Sequence, residues 1–599
     1  MCGIIGCVTS GEAAPVLLRG LAALEYRGYD SLGIAVTTEA GGVARLRSVD
    51  RLQGLRDRIA DYRGPRLTGT GVGHTRWATH GGVTEANAHP HADCTGRVSL
   101  VHNGIIDNAD VLRAELADDD HVFASEGDSE VIAHLVERHL ALGEDLIDAV
   151  RLAVERLEGS WAIVVLDTTS GRLVAANHKA PLVRARSDHG WFVASDIRAV
   201  APWVDAFHVL EDGTVMEIGP DGTVLVEETA SPIPAHWNDD EPERLGHPDY
   251  MSKEIDEQPE VAARILDAVA GRIASGLLWR DLGLAPFTGV AIVGCGTSLN
   301  AGGVIASALR RFGGVPAQTI IASEASEAVL RPGTLVIAIS QSGETADVLA
   351  AIDEPGLAGL PLLALTNATY STLARRADAV VDCSAGQEIG VAATKTFIAQ
   401  VLTGAAITLS ALSDSGRMAR SRAVTVGEDL LRMPDLLAQA LSVGKHTIPA
   451  LIPDLLGQSG FLFLGRGTGV EYAAEGALKL KELTYRWAEH YPAGELKHGP
   501  LALVESGTPV VVVDCDDPRI AGNIAEVAAR GGRIIGIGGS GAAIPAIGRS
   551  LHAPRPDGFK PCGPLESVVP MQLLARELAV ALGLDVDKPR NLAKSVTVS

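Results

Sequence analysis

Residue 2 of this chain is a cysteine, in the run Met1-Cys2-Gly3-Ile4-Ile5-Gly6. Removal of Met1, which a side chain as small as that of Cys2 permits, leaves a thiol and a free α-amine on one residue. The pair is a nucleophile with its own base, because an α-amine titrates at about pH 8. An incidental early cysteine is the plainer reading of this feature alone, so the remaining residues must decide.

The second half holds a different chemistry. Ser340-Gln341-Ser342-Gly343-Glu344-Thr345 follows the apolar run Leu335–Ile339. Three hydroxyls, an amide and a glycine at a helix start can wrap a phosphate without a Walker lysine. Thr297 and Ser298 sit in a similar turn after Val290–Val293, and the two turns together describe a phosphosugar cradle. Ordinary N-capping by Ser and Thr is the competing account. A dinucleotide site is the weaker one, since position 299 is Leu where a third glycine is needed.

Glu475, Lys479 and Glu482 fall at i, i+4 and i+7, hence on one helical face, where a solvated salt-bridged stripe is the usual outcome. Glu495-Leu496-Lys497-His498-Gly499-Pro500 presents a histidine able to move protons near neutral pH. The ending Asp587–Ser595 has the composition of a frayed tail.

These residues need elements to hold them. Residues 1 to about 230 predict short strands at Gly3–Val8, Leu32–Val36, Val98–His102, Trp161–Asp167, Leu173–Asn177 and Trp191–Ser195. Helical periodicity occurs at Val16–Leu24 and Glu130–Leu140, which together predict a layered α+β domain. From Ser231 to about Tyr250 the composition of Pro, Asp, Glu and His marks a linker, and Pro259–Ala274 predicts an amphipathic helix. A degenerate repeat follows. Val290–Thr297 and Phe461–Thr468 are each an apolar strand entering a Gly-x-Gly-Thr turn, followed by a helix and then Leu335–Ile339 or Pro509–Val513. Apolar strands alternating with helices predict two doubly wound parallel sheets.

The 599 residues suggest about four domains by length. With 51 basic against 74 acidic residues the net charge is −23, which argues against a nucleic-acid partner. No apolar run reaches the roughly 18 residues of a membrane span, and no signal segment precedes Cys2. Seven scattered cysteines form neither a CxxC pair nor a disulfide framework, so a reduced, cytoplasmic protein is expected.

Read in order, the motifs carry a resemblance over essentially the whole chain. Cys2–Gly6, Tyr26-Arg27-Gly28-Tyr29-Asp30-Ser31, His74-Thr75-Arg76-Trp77-Ala78-Thr79-His80 and His102-Asn103-Gly104 resemble a class II glutamine amidotransferase. Cys295–Ser298, Ser340–Thr345, Glu495–Pro500 and Pro589–Val598 resemble the sugar isomerase (SIS) domains of the glutamine–fructose-6-phosphate aminotransferases (isomerising), the glucosamine-6-phosphate synthase family.

The resemblance implies an N-terminal-nucleophile αββα sandwich over residues 2–230, a linker and leading helix over 231–284, SIS domains over 285–430 and 450–590, and an active-site tail over 591–599. The implied reaction converts fructose 6-phosphate and glutamine to glucosamine 6-phosphate and glutamate. Cys2 would attack glutamine, Asn103 and Gly104 would form the oxyanion hole, and Arg76, Asp128, Thr79 and His80 would bind the amino acid. Trp77 would gate an ammonia channel. Thr297, Ser298, Ser340, Gln341, Ser342, Thr345 and Val391 would hold the sugar phosphate. Lys594 would form a Schiff base with the C2 ketone, Glu482 would shuttle a proton between C1 and C2 with help from Lys479, and His498 would open the sugar ring across a homodimer interface. No cofactor or metal is expected, His89-Pro90-His91 being metal-like in spacing only.

Three positions depart from the family pattern: Ala393 stands for a serine near the sugar, Leu299 for a tyrosine, and Gly127 for a threonine beside Asp128. An amidophosphoribosyltransferase would need an acidic-pair pyrophosphate signature, which the second half lacks. A phosphosugar-sensing module would not need Glu482 and Lys594. A paralogue aminating a related ketose phosphate stays open, with Ala393 as its only hint.

Overall fold

The computed structural model of the chain describes residues 2–226, 232–234, 243–515, 517–538 and 562–596. The chain forms two compact units, Met1–Glu241 with Ser595–Ser599, and Pro242–Lys594.

The first unit is built on two mainly antiparallel sheets. The eight-stranded sheet runs, in spatial order, Ile233–Pro234, Ala206–Val209, Val183–Ser187, Gly190–Ala194, Gly3–Thr9, Leu67–Arg76, Ser31–Thr38 and Val43–Ser48. The six-stranded sheet runs Val224–Leu225, Val215–Ile218, Leu173–His178, Gly159–Asp167, Val98–Ile106 and His91–Ala92. Their facing side chains make one core, with Ile4, Val8 and Val72 from the first sheet against Val101, Val164 and Leu173 from the second. Helix Ala13–Leu24 covers the outer face of one sheet, and helices Glu130–Ala141 and Leu146–Val154 cover the other. The result is the expected αββα sandwich.

Strand Leu67–Arg76 carries no alternating signal because its glycines are demanded by neighbouring backbone. A Cβ on Gly69 would lie 2.0 Å from the Thr9 carbonyl, and one on Gly71 would lie 2.8 Å from that of Ala35. Strand Val43–Ser48 is an edge strand bearing two arginines, which hides it in the same way.

In the second unit both sheets are wholly parallel. One runs Ala317–Ile321, Gly289–Gly294, Thr334–Ser340, Leu362–Thr366 and Ala379–Asp382. The other runs Trp487–Pro492, Gly460–Gly465, Pro509–Asp514 and Arg533–Gly538. In each repeat an edge strand, Ala317–Ile321 or Trp487–Pro492, intervenes between the two apolar strands. Both are half-exposed and mix polar with apolar residues, so the apolar-run criterion passes over them. One continuous core joins the two sheets through helices Gly296–Gly313, Lys395–Asp414, Gly469–Thr484 and Val568–Ala581.

Helix Lys395–Asp414 corrects the expectation that no segment is long and apolar enough to cross a membrane. It has 20 residues and mean hydropathy 1.5, but 94% of its apolar window is buried inside the fold. The polar Thr403, Thr408 and Ser410 interrupt the apolar run, which is why it escapes a simple scan. Residues 231 and 235–242 of the expected linker at 231–250 lie outside the described residues. Helix Tyr250–Asp256 begins where that linker was expected to end, and Gln258–Ile273 follows it.

Candidate active sites

In the first unit Cys2 stands just before strand Gly3–Thr9, whose neighbour Leu67–Arg76 delivers Arg76 and Trp77 beside it through the pair Gly3 and Thr75. The Trp77 amide donates to the Cys2 Sγ at 3.3 Å. A Cβ on Gly3 would come within 2.7 Å of the Leu24 Cβ, so glycine lets the chain start lie flat on helix Ala13–Leu24. Burial pushes the Cys2 thiol up, while the chain-terminal charge, the Trp77 amide and Arg76 pull it down and Asp128 raises it. Both Arg76 and Asp128 are thus electrostatic neighbours of the sulfur.

Arg76 is buried, and its guanidinium donates to the carbonyls of His80 at 2.5 Å and Gly82 at 3.2 Å. It makes no ion pair among the described residues, and desolvation lowers its pKa. Such a buried cation suits an anionic ligand. Asp128 is buried and accepts from the Ile106 amide at 3.0 Å. Thr79 and His80 are exposed on the loop that Arg76 ties down. Asp30, from the Tyr26–Ser31 motif, fixes the same loop by accepting from the Ala78 amide at 2.8 Å. Trp77 is half-buried and packs edge-on against Tyr29, ring centres 5.9 Å apart.

Asn103 lies on strand Val98–Ile106 opposite Ala162, 8% exposed, and its carboxamide has no hydrogen-bond partner among the described residues. The buried atom is the acceptor Oδ1, which an oxyanion cannot satisfy; the group that can donate to an oxyanion is the Nδ2 amide of the same carboxamide. Gly104 beside it has φ +132°, and a Cβ there would sit 2.0 Å from the Ser160 carbonyl, so only glycine fits.

Sequence reasoning missed the support behind these groups. His74 bonds the His102 carbonyl at 2.8 Å, His102 Nδ1 bonds Ser129 Oγ at 2.8 Å, and Ser129 Oγ donates to Asp128 Oδ1 at 3.2 Å. The His89 ring stacks on His74 at 3.9 Å and meets His91 edge-on at 4.4 Å. Burial holds all four imidazoles below their ordinary pKa, His91 at about 3. They are neutral struts beneath Asn103 and Asp128.

In the second unit the turn after strand Thr334–Ser340 forms as expected. Ser340 and Thr345 hydroxyls bond at 2.8 Å, and the Gly343 amide donates to Ser340 Oγ at 3.0 Å. Gly343 has φ +64°, and a Cβ there would be 1.9 Å from Ser371 Oγ. Gln341 and Ser342 are half-buried at the turn, whose Gln341 carbonyl accepts from the Asn367 amide at 3.2 Å. Ser298 Oγ accepts from Gln400 at 2.9 Å. Thr297 donates to Glu475 at 3.0 Å, joining Asn300 at 2.8 Å on the other oxygen.

The Glu475, Lys479, Glu482 face is buried rather than solvated. Glu475 and Lys479 are 0% and 1% exposed, with Lys479 Nζ 2.5 Å from Glu482 and 3.6 Å from Glu475. Desolvation opposes the Lys479 charge, but Glu482 and Glu475 outweigh it and raise its pKa. Burial raises Glu475 against the pull of Lys479.

The ending is docked, not frayed. The Arg590 amide donates to the Tyr485 hydroxyl at 2.8 Å and its guanidinium lies over that ring, while the Asp587 carboxylate accepts from the Tyr250 and Met251 amides. The Val391 amide donates to the Asp587 carbonyl at 3.0 Å. Lys594 consequently points inward, its amine 2.5 Å from Glu388 and 2.7 Å from the Gly390 carbonyl. Glu388, missed by sequence reasoning, lies two residues before Gly390-Val391. Desolvation opposes its charge, but Lys594 and the Thr394 and Thr396 amides hold it at about 2. His498 is exposed, and its ring makes no hydrogen bond or ion pair among the described residues.

Two family models match. The glutamine amidotransferase domain matches residues 74–202 and the SIS domain matches residues 288–410 and 455–581. The chain therefore joins a glutamine amidotransferase domain to a pair of SIS domains. Proteins described as glutamine–fructose-6-phosphate aminotransferase (isomerizing) from Symbiobacterium thermophilum and Streptomyces coelicolor are 41% and 40% identical, with 100% of each chain covered. The C-terminal domain of glucosamine-fructose-6-phosphate aminotransferase from Francisella tularensis matches 58% of this chain and 100% of its own, at 33% identity and TM-score 0.52. This chain belongs to the glutamine–fructose-6-phosphate aminotransferase (isomerizing) family.

Proposed function

We propose that the chain converts D-fructose 6-phosphate and L-glutamine to D-glucosamine 6-phosphate and L-glutamate, the first committed chemistry of an amino sugar. The observation that carries this reading is the inward amine of Lys594 on Glu388, in the unit that also holds the Ser340–Thr345 turn and the buried Lys479–Glu482 pair.

At the amidotransferase site, Cys2 sulfur attacks the glutamine amide carbon, with the α-amine taking the thiol proton. The oxyanion forms against Asn103 and the Gly104 amide, ammonia leaves, and water then releases glutamate from the thioester. Arg76 and Asp128 suit the carboxylate and ammonium of the substrate. The ammonia serves the second reaction.

At the isomerase site, the phosphate rests on Ser340, Gln341, Ser342 and Thr345, with Ser298 and the Val391 backbone toward the sugar. Lys594 condenses with the C2 ketone and releases water; ammonia then displaces the lysine. Glu482 removes a proton from C1 and returns it to C2, leaving a C1 aldehyde and a C2 amine. Lys479, 2.5 Å from Glu482, steadies that carboxylate. The exposed His498 suits ring opening in a second copy of the chain, so a homodimer is part of this reading. Seven free cysteines suit a reducing cytoplasm.

The test is amino-sugar formation from glutamine with a panel of ketose phosphates. Preference for fructose 6-phosphate with equimolar glutamate supports the reading. A different preferred ketose phosphate would favour the paralogue, and glutamine hydrolysis without amino sugar would refute both.

A further inference from the structure

We propose that the first unit carries a structural zinc site made by Cys94, His121, His134 and Glu137. The ligand atoms of these four residues all lie within 4.8 Å of one another. They come from three separate segments: the turn between strands His91–Ala92 and Val98–Ile106, the loop after helix Ala109–Asp118, and helix Glu130–Ala141.

Five of the six distances among the ligand atoms are close to the edges of a tetrahedron around one ion. Cys94 Sγ is 3.5 Å from His134 Nδ1 and 3.8 Å from His121 Nδ1. The two Nδ1 atoms are 3.2 Å apart, and Glu137 Oε2 is 2.9 Å from one and 3.1 Å from the other. A zinc ion at ordinary bond lengths would set nitrogen neighbours about 3.4 Å apart and nitrogen–sulfur neighbours about 3.6 Å apart.

Hydrogen bonding alone accounts poorly for this packing. If both imidazoles donate to the one Glu137 oxygen, two Nδ1–H groups confront each other at 3.2 Å. If either is unprotonated at Nδ1, its lone pair faces the carboxylate instead. A cation at the centre satisfies all four lone pairs at once. The surroundings also resemble those of a thiolate ligand set, because the Val122 amide donates to Cys94 Sγ at 3.3 Å and the Cys94 amide to Glu137 at 3.2 Å. Behind His134, its Nε2 is buried without a hydrogen bond and lies 3.6 Å from Glu130. That carboxylate is itself held by Ser125 and the Ala124 amide. A carboxylate behind a ligating imidazole fixes its orientation and basicity.

One sulfur, two nitrogens and one oxygen in tetrahedral array select zinc over magnesium or calcium. With all four positions taken by protein, the ion is structural. Its effect would be to fasten the loop carrying Asp128 to the 93–97 turn, while the exposed Cys94 leaves a path for entry.

The full-length protein, produced without a histidine tag in zinc-supplemented medium and dialysed, should contain about one zinc per chain, lost in a Cys94→Ala/His121→Ala double variant. Cobalt replacing zinc should give tetrahedral d–d bands and a sulfur-to-cobalt charge-transfer band, the latter absent in Cys94→Ser, whose exposed position spares the fold. Zinc added back to stripped protein should raise Tm. Zinc retained by the double variant, a cobalt spectrum unchanged in Cys94→Ser, or wild-type protein that takes up neither metal would each overturn the site.

Discussion

Lys594, the sixth residue counting back from Ser599, buries its amine against Glu388, a residue 206 positions earlier, at 2.5 Å; their side chains are 3% and 0% exposed. A cation and an anion so far from water are held together only if each keeps the other, because either alone would carry a large desolvation cost. The pair thus ties the tail's position to the site's charge. Arg590 on Tyr485 and Asp587 on the Tyr250 and Met251 amides add two further anchors to this segment.

Glu388→Ala should therefore strand the Lys594 ammonium and release the tail. The expected result is loss of amino-sugar synthesis with glutamine hydrolysis retained, and a local destabilisation of about 3–5 kcal/mol in the second unit. Limited proteolysis should then cut near residue 590 at a protease concentration that leaves wild type intact. A variant with wild-type synthesis and an uncut tail would show that the ion pair is dispensable.

Lys594 itself is tested by trapping. Borohydride added with fructose 6-phosphate should attach one sugar phosphate to Lys594, found by peptide mass analysis, and Lys594→Ala should take up none. Labelling of Lys479 instead would reverse the roles of the two buried lysines.

Much of this architecture is legible from residues alone, and the failures share a cause. The cysteine at position 2, the Ser340–Thr345 turn and the repeated apolar strands are local signals, and the turn and the strands form where local physics puts them. Glu388 and the imidazole struts are visible only when distant segments meet, since nothing in Gln387-Glu388-Ile389 announces a lysine from residue 594. The Glu475–Lys479–Glu482 face has the pattern of a solvated stripe, and only its burial between two sheets reveals otherwise. Strand Leu67–Arg76 hides because backbone crowding, not side-chain burial, chooses its glycines.

Asn103→Ala addresses the oxyanion hole. Its carboxamide has no partner among the described residues, so its removal should cost the resting protein little stability. Glutaminase turnover should fall by roughly 10²–10³-fold, about 3–4 kcal/mol, with a much smaller change in KM. A loss confined to KM would assign Asn103 to substrate binding.

Glu254 gives the pH test. Burial and the neighbouring Glu388 charge push its carboxyl up to about 8, with Lys594 and the Ile389 amide pulling the other way. Its folded pKa thus lies above the value of an unfolded glutamate, so the folded chain keeps a proton that the unfolded chain gives up. The stability this supplies is complete below about pH 4 and is lost as pH rises toward 8, at about 1.4 kcal/mol per pH unit. Glu388 has the opposite sign, its contribution being lost as pH falls from about 4 toward 2. Glu254→Gln preserves an oxygen for the Ile389 and Gly390 amides and cannot ionise. Between pH 6 and 8 the wild type should lose about 2–3 kcal/mol relative to Glu254→Gln in urea unfolding of the second unit's transition. Parallel curves for the two proteins over that range would mean that Glu254 is already ionised at pH 6 and that the buried Glu388–Lys594 pair tolerates a second negative charge beside it.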